Sequence, residues 1–106
     1  MCSEEKMKKL HTLENIIGYK FRDLSLLHTA LTHSSYANEH DIESNERLEF
    51  LGDSVLGLTI SDYLFKEYPN LPEGALTKMR SIIVSEYSLA VVARDINLGD
   101  YLLLGR

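Results

Sequence analysis

The chain has 106 residues, 44% hydrophobic and 25% charged, a size and composition that fit one soluble domain with a modest core and exclude a disordered chain. No stretch reaches the roughly 20 apolar residues of a membrane span, and MCSEEKMKKL lacks the apolar centre of a secretory signal. The net charge of −5 argues against a phosphate-hugging surface, and one cysteine, Cys2, permits neither an internal disulfide nor a zinc framework, so a reducing, cytoplasmic setting without membrane contact is expected.

Apolar residues recur at helical intervals along the chain. Leu10, Leu13 and Ile17 step by three and four and stop at Gly18, a residue suited to the position just past a helix end. Leu24, Leu27 and Leu31 repeat the step after Asp23, an N-cap candidate. The polar stretch THSSYANEHDIESN reads as a break in the pattern. A long central helix is predicted from near Asn45 to before Pro69, because proline disfavours a helical residue ahead of it. PNLPEG is a turn by composition. Leu76, Met79 and Ile83 mark a fourth helix. Ser85 caps a fifth, with Leu89, Val92, Ala93 and Ile96 on its buried side and Gly99 closing it. YLLLGR is a short apolar end of uncertain form, expected to mark a cut rather than a natural terminus. Strict alternation is absent, so the prediction is an all-α domain of about five helices.

The central helix opens with NERLEFLGDSVLGL. At about 100° per residue, Glu46, Glu49 and Asp53 fall within an arc of roughly 60°. Leu48, Leu51, Val55 and Leu58 cover the opposite side, and Phe50 and Leu64 fill much of the rest. A helix apolar nearly all round is expected to be buried, and Gly52 and Gly57 are expected to let neighbouring helices approach. Carboxylates on such an element need pairing, hydrogen bonds or a cation. Arg47 and Arg80 are candidate partners; a hard divalent ion, Mg²⁺ or Mn²⁺, is the other solution. On spacing alone, Glu46 also fits a structural role at the positive end of the helix dipole.

RLEFLGDSVLGL resembles the most diagnostic segment of the ribonuclease III family, endonucleases that cut double-stranded RNA. IIGYKFRDLSLLHTALTHSSYANE is similar to the lead-in helices of the bacterial members, and LPEGALTKMRSIIVSE to the segment after the central helix. In family order, these cover most of residues 13 to 100. The resemblance implies an incomplete endonuclease domain over residues 1–106, an all-helical bundle without the family's double-stranded-RNA-binding domain. It implies that Glu49 and Asp53 are catalytic and metal-binding acids, with Glu46 and Glu73 as auxiliary acids near the cleavage site. It implies that Phe50 packs against the partner in a symmetric homodimer. The reaction implied is Mg²⁺-dependent phosphodiester hydrolysis (Mn²⁺ as substitute) in ribosomal and other RNA processing, leaving a short 3′ overhang. A further Asp and Glu of the family's catalytic set belong to a segment expected to follow LLLGR, so this chain alone is expected to be inactive. The alternative from another class is a non-catalytic scaffold of the same fold, used for dimerisation or RNA docking.

The remaining candidates read more plainly. His33, Ser34, Ser35 and Tyr36 suit local cap and turn bonds. His11, His28, His33 and His40 lack paired metal-ligand spacing. Lys6, Lys8 and Lys9 read as a solvated helix face. Lys78 and Arg80, just after PEG, are candidate RNA contacts, and Arg80 is equally a candidate partner for an acid of the central helix. The six tyrosines form no stacking platform for single strands.

Overall fold

The computed structural model describes residues 3–106; Cys2 lies outside the described residues. Helix α1 (Glu4–Ile17) begins where the Ser3 side chain accepts from the Lys6 amide. It ends where Gly18, at φ 73°, donates to the Glu14 carbonyl. That left-handed turn is the position where glycine carries no Cβ penalty. Helix α2 (Leu24–Ala30) starts from Asp23, whose carboxylate accepts from the Ser25 amide at 3.0 Å. Helix α4 (Glu46–Glu67) runs 22 residues and stops before Pro69, as predicted. Helices α5 (Glu73–Ile83) and α6 (Glu86–Asp95) follow, the latter capped by Ser85, and a 3₁₀ turn spans Leu98–Tyr101.

The all-α expectation holds, with one more helix than predicted. Helix α3 (Ser34–His40) lies inside the polar stretch read as a break. His33 starts it as an unusual N-cap, its Nδ1 accepting from the Ser35 amide at 3.1 Å. Asp41, at φ 52°, turns the chain out after seven residues. The fifth predicted helix, now α6, ends at Asp95, and Gly99 belongs to the 3₁₀ turn.

The core sits at one end. Leu10, Leu13, Leu27 and Leu31 are buried together, with Phe21, Leu24, Leu98, Tyr101 and Leu102 packed around them. From there the chain of contacts runs through the 3₁₀ turn to α6, then α5, then α4. The molecule is elongated, 51 × 27 × 23 Å with a radius of gyration of 16.3 Å, against about 13 Å for a compact domain of this length. The α4–α5 pair is thinly covered: α4 has one buried residue, Leu64, and α5 none.

Two burial expectations are overturned. In α1 the stripe is completed by Glu14, 2% exposed, whereas Ile17 is 41% exposed. In α6, Leu89 and Val92 are exposed while Ala93 and Ile96 are half-buried. Helical periodicity located both elements and misjudged how completely their apolar sides are covered; α6 packs mainly against the 3₁₀ turn and α5.

The segment after the 3₁₀ turn has a definite form. The Leu103 amide donates to the Leu31 carbonyl at 2.9 Å, and the His33 amide donates to the Leu103 carbonyl at 3.0 Å, making an isolated parallel bridge at Thr32. Gly105 then donates to Ser35 Oγ at 2.8 Å and Arg106 to Glu39 Oε2 at 2.7 Å. A Cβ on Gly105 would sit 2.6 Å from the Ser35 backbone, so glycine is required for this close approach.

Candidate functional site

Glu46, Glu49 and Asp53 lie on successive turns of the first half of α4, and all three are exposed. The expected burial of this helix is overturned. Phe50 is 81% exposed and Leu58 72%, with Leu51 and Val55 also open; Leu64 is the residue of α4 that is fully buried. Gly52 and Gly57 admit no neighbouring helix, since a Cβ at either would meet nothing within 4 Å. An apolar perimeter predicts burial only when enough chain exists to cover it, and here α5 covers one sector of the second half. Leu56, Ile60 and Leu64, half-buried or buried, continue along the sector begun by the acids. The acid line is thus the uncovered forward extension of the face that α5 packs against.

The cost of burying these carboxylates is therefore not what explains them. All three face solvent, and Glu46 also lies at the edge of a groove. A groove of about 610 Å³ runs between α2 and the start of α4, lined by Leu26, Thr29, Glu43, Glu46, Arg47 and Phe50 among others. Neither arginine neutralises the line. Among the described residues the ion pairs are His11–Glu14 and Lys66–Asp62, and Arg80 Nη1 donates to Ser61 Oγ at 2.8 Å. Arg80 is thus turned toward the second half of α4, and Lys78 is exposed.

Glu73 stands apart. It lines a smaller groove with Ser61, Leu64, Phe65 and Arg80. Along α4, Ser61 and Phe65 are 12 and 16 residues from Glu49, or about 18–24 Å at 1.5 Å per residue. Within one chain the structure brings together Glu46, Glu49 and Asp53 and leaves Glu73 at the other end. Correspondingly, no group of three or more His, Cys, Asp or Glu side chains among the described residues could hold a metal ion. Glu49 and Asp53, one turn apart, both carry hard oxygen donors. Two such donors are of the kind Mg²⁺ would use, since it keeps several waters and takes one or two carboxylates.

The best-satisfied acid lies elsewhere. Glu14 is buried beneath the α1–α2 turn, accepting from the Phe21 amide at 2.6 Å and bonded to His11 Nδ1 at 2.8 Å. The Phe21 amide first, then His11, holds its carboxyl below the usual value of 4.5. Sequence reading passed over it, although the signal was present: Glu14 is four residues after Leu10 and three before Ile17, on the apolar stripe itself. His28 is displaced the same way for a different reason. Burial, and then the nearby Lys6 ammonium, pushes its imidazole below 6.5. Of the hydroxyls after α2, Ser35 Oγ bonds His33 Nδ1 locally but also accepts from the Gly105 amide. Tyr36 Oη accepts from Lys6 Nζ at 3.0 Å, so the local bonding expected of them is only part of what they do.

Residues 23–106 match the family model described as ribonuclease-III-like. Ribonuclease 3 of Borreliella burgdorferi is 58% identical over 108 residues, spanning 100% of this chain and 44% of that protein. Two solved structures of the nuclease domain of ribonuclease III from Campylobacter jejuni are similar to this chain. One has a TM-score of 0.81 at 45% identity, covering 88% of this chain and 63% of its own. It is described as showing structural flexibility in the region involved in dimer formation. The other, at 2.2 Å resolution, has a TM-score of 0.80 at 43% identity, covering 99% and 65%. The chain spans less than half the length of the curated relative it matches.

Proposed function

Because the chain belongs to the ribonuclease III family, we propose that the protein containing it is an endoribonuclease that hydrolyses double-stranded RNA with a divalent metal ion. The observation that carries this reading is the Glu49–Asp53 pair: two carboxylates one turn apart, solvent-facing, with neither arginine spent on neutralising them. A scaffold gains nothing from that arrangement, since like charges at this spacing repel by a few tenths of a kcal/mol.

In this reading Glu49 and Asp53 would hold Mg²⁺, with Mn²⁺ as substitute, and Glu46, on the same line, would orient water or phosphate. When bound, the ion supplies Lewis acidity and charge neutralisation at the scissile phosphodiester. The rest falls to the chain. The helix keeps the two carboxylates one turn apart, and their exposure leaves them open to a bulky duplex. Glu73, at the other end of the helix pair, would serve such a site across a dimer. Phe50 and the stripe of Leu51, Val55, Leu58 and Phe65 are the surface on which a second copy would seat, because an exposed apolar stripe of this extent is costly in water. Lys78 is exposed for contact with the RNA backbone, and Arg80 would offer the donors not used on Ser61.

The test is cleavage of an RNA duplex in Mg²⁺ by this chain joined to the remaining nuclease-domain length that its relatives carry. Glu49→Gln and Asp53→Asn should each reduce turnover at least about 100-fold, since losing even an outer-shell partner of a metal costs 10–100-fold. Undiminished cutting by both variants would overturn the proposal.

A further inference from the structure

The exposed half of α4 has little packing to hold it, which raises the question of what sets its position. The helix start answers it. Asparagine before a helix ordinarily caps it, its side chain accepting from an amide of the first turn. Asn45 does not: its side chain makes no cap bond, and its backbone, at φ −84° and ψ 3°, is not in the extended region of an ordinary cap. Its amide group instead reaches back 15 residues, Nδ2 donating to the Ala30 carbonyl at 3.1 Å. Its backbone N–H donates to the Thr32 carbonyl at 2.9 Å, and its own carbonyl accepts from the Glu49 amide at 2.8 Å. Thr32 is fully buried and fixed in turn, its Oγ1 donating to the His28 carbonyl at 2.7 Å.

The opposite side of the same short segment holds the last residues of the chain. Leu31 and His33 pair with Leu103, while Ala30 and Thr32 pair with Asn45. The segment from Ala30 to His33 is therefore held from both sides. It ties the start of the acid-bearing helix to the strand-like segment from Leu103 to Arg106.

We infer that Asn45 is a positioning residue for the acid line: its two donors fix where Glu49 and Asp53 stand relative to α2 and to the chain around Leu103. The inference rests on the metal-nuclease reading above. Asn45 touches neither ion nor phosphate; it acts through the placement of α4. Both donors are needed for the tether, and the side-chain donor is the one that substitution can remove. Asn45→Asp is nearly isosteric but turns a carboxylate oxygen toward the Ala30 carbonyl, and Asn45→Ser stays polar while losing the reach.

Two measurements test this. The first needs no metal: nitroxides at Lys8 and Ser54, with Cys2 replaced, report the distance between α1 and α4. One narrow distribution is expected in the unsubstituted chain, broadened at least about twofold in Asn45→Asp and Asn45→Ser with circular dichroism unchanged. The second is RNA duplex cleavage in the extended nuclease domain. There kcat should fall at least about tenfold and the Mg²⁺ concentration for half-maximal rate should rise, as for a lost outer-shell partner, with KM for the duplex unchanged. A residue that merely stabilised the fold would lower the active fraction without moving the Mg²⁺ requirement. Unchanged kcat and Mg²⁺ requirement in both Asn45 variants, while Glu49→Gln is inactive, would overturn the inference and leave the nuclease reading standing. A fully active Glu49→Gln would overturn both.

Discussion

Glu14 and the Glu49–Asp53 pair show two opposite ways for a helical protein to carry a carboxylate. Glu14 is taken out of water and fully answered by a backbone amide and an imidazole, at the closed end of the molecule. Glu49 and Asp53 stay in water on a helix whose apolar sides are also left open. The first acid stabilises a turn. The second pair is free to bind something, and freedom from internal partners is what separates a candidate site from a structural ion.

The contrast breaks most visibly in the packing around each acid. Leu13→Ala should cost about 2–5 kcal/mol in urea unfolding, the range for opening a cavity in a closed core. Leu58→Ala, on the bare side of α4, should change the stability of a single chain by no more than about 0.5 kcal/mol. Equal losses would mean that α4 is covered in solution, by a second copy or otherwise, and repeating the measurement across protein concentration would tell which.

The acids themselves come next. Glu14→Gln keeps an oxygen for the Phe21 amide but loses the negative charge that strengthens both bonds, and the melting midpoint should fall by roughly 5 °C or more. Glu49→Gln should leave it within about 2 °C. Acid sharpens the same distinction. His28 and Glu14 both have folded values below their ordinary ones, so the unfolded chain binds more protons and stability falls as pH is lowered. The loss attributable to His28 begins as pH drops below about 6.5, and that of Glu14 below about 4.5, each continuing down through its folded value. Thermal melts across pH 3–8 should show both slopes, and Glu14→Gln should abolish the lower one. A lower slope that survives in Glu14→Gln would assign it to other carboxylates.

How far the sequence reveals this arrangement depends on whether the cause is local. Gly18, Asp23 and Ser85 mark helix ends through bonds made within a few residues, so their roles are legible. His33 starts α3 by the same kind of local bond, but histidine is not a customary cap and seven residues give periodicity too little to work with. The line of Glu46, Glu49 and Asp53 is equally local, fixed by helix geometry, and its match to a family motif is readable from letters alone. What covers a helix is not local. Leu51, Val55 and Leu58 look like core residues in the sequence and are exposed here, because burial depends on which elements fold against them. Asn45 looks like a cap, and only the tertiary structure shows that its side chain is spent on Ala30.

The smallest effect bears most directly on the acid line. If Glu49 and Asp53 sit unanswered in solvent, their mutual repulsion is a small liability, and Asp53→Asn should stabilise the chain by a few tenths of a kcal/mol at low salt. Screening should erase that gain at 1 M NaCl, where the Debye length is about 3 Å. Mg²⁺ offers a further discrimination at constant ionic strength. An ion bound between the two carboxylates favours the folded helix by mass action, so millimolar Mg²⁺ should raise the melting midpoint of the unsubstituted chain and do less for Asp53→Asn. A gain from the substitution that ignored both salt and Mg²⁺ would trace to helix propensity, and the two acids would then be ordinary surface charges.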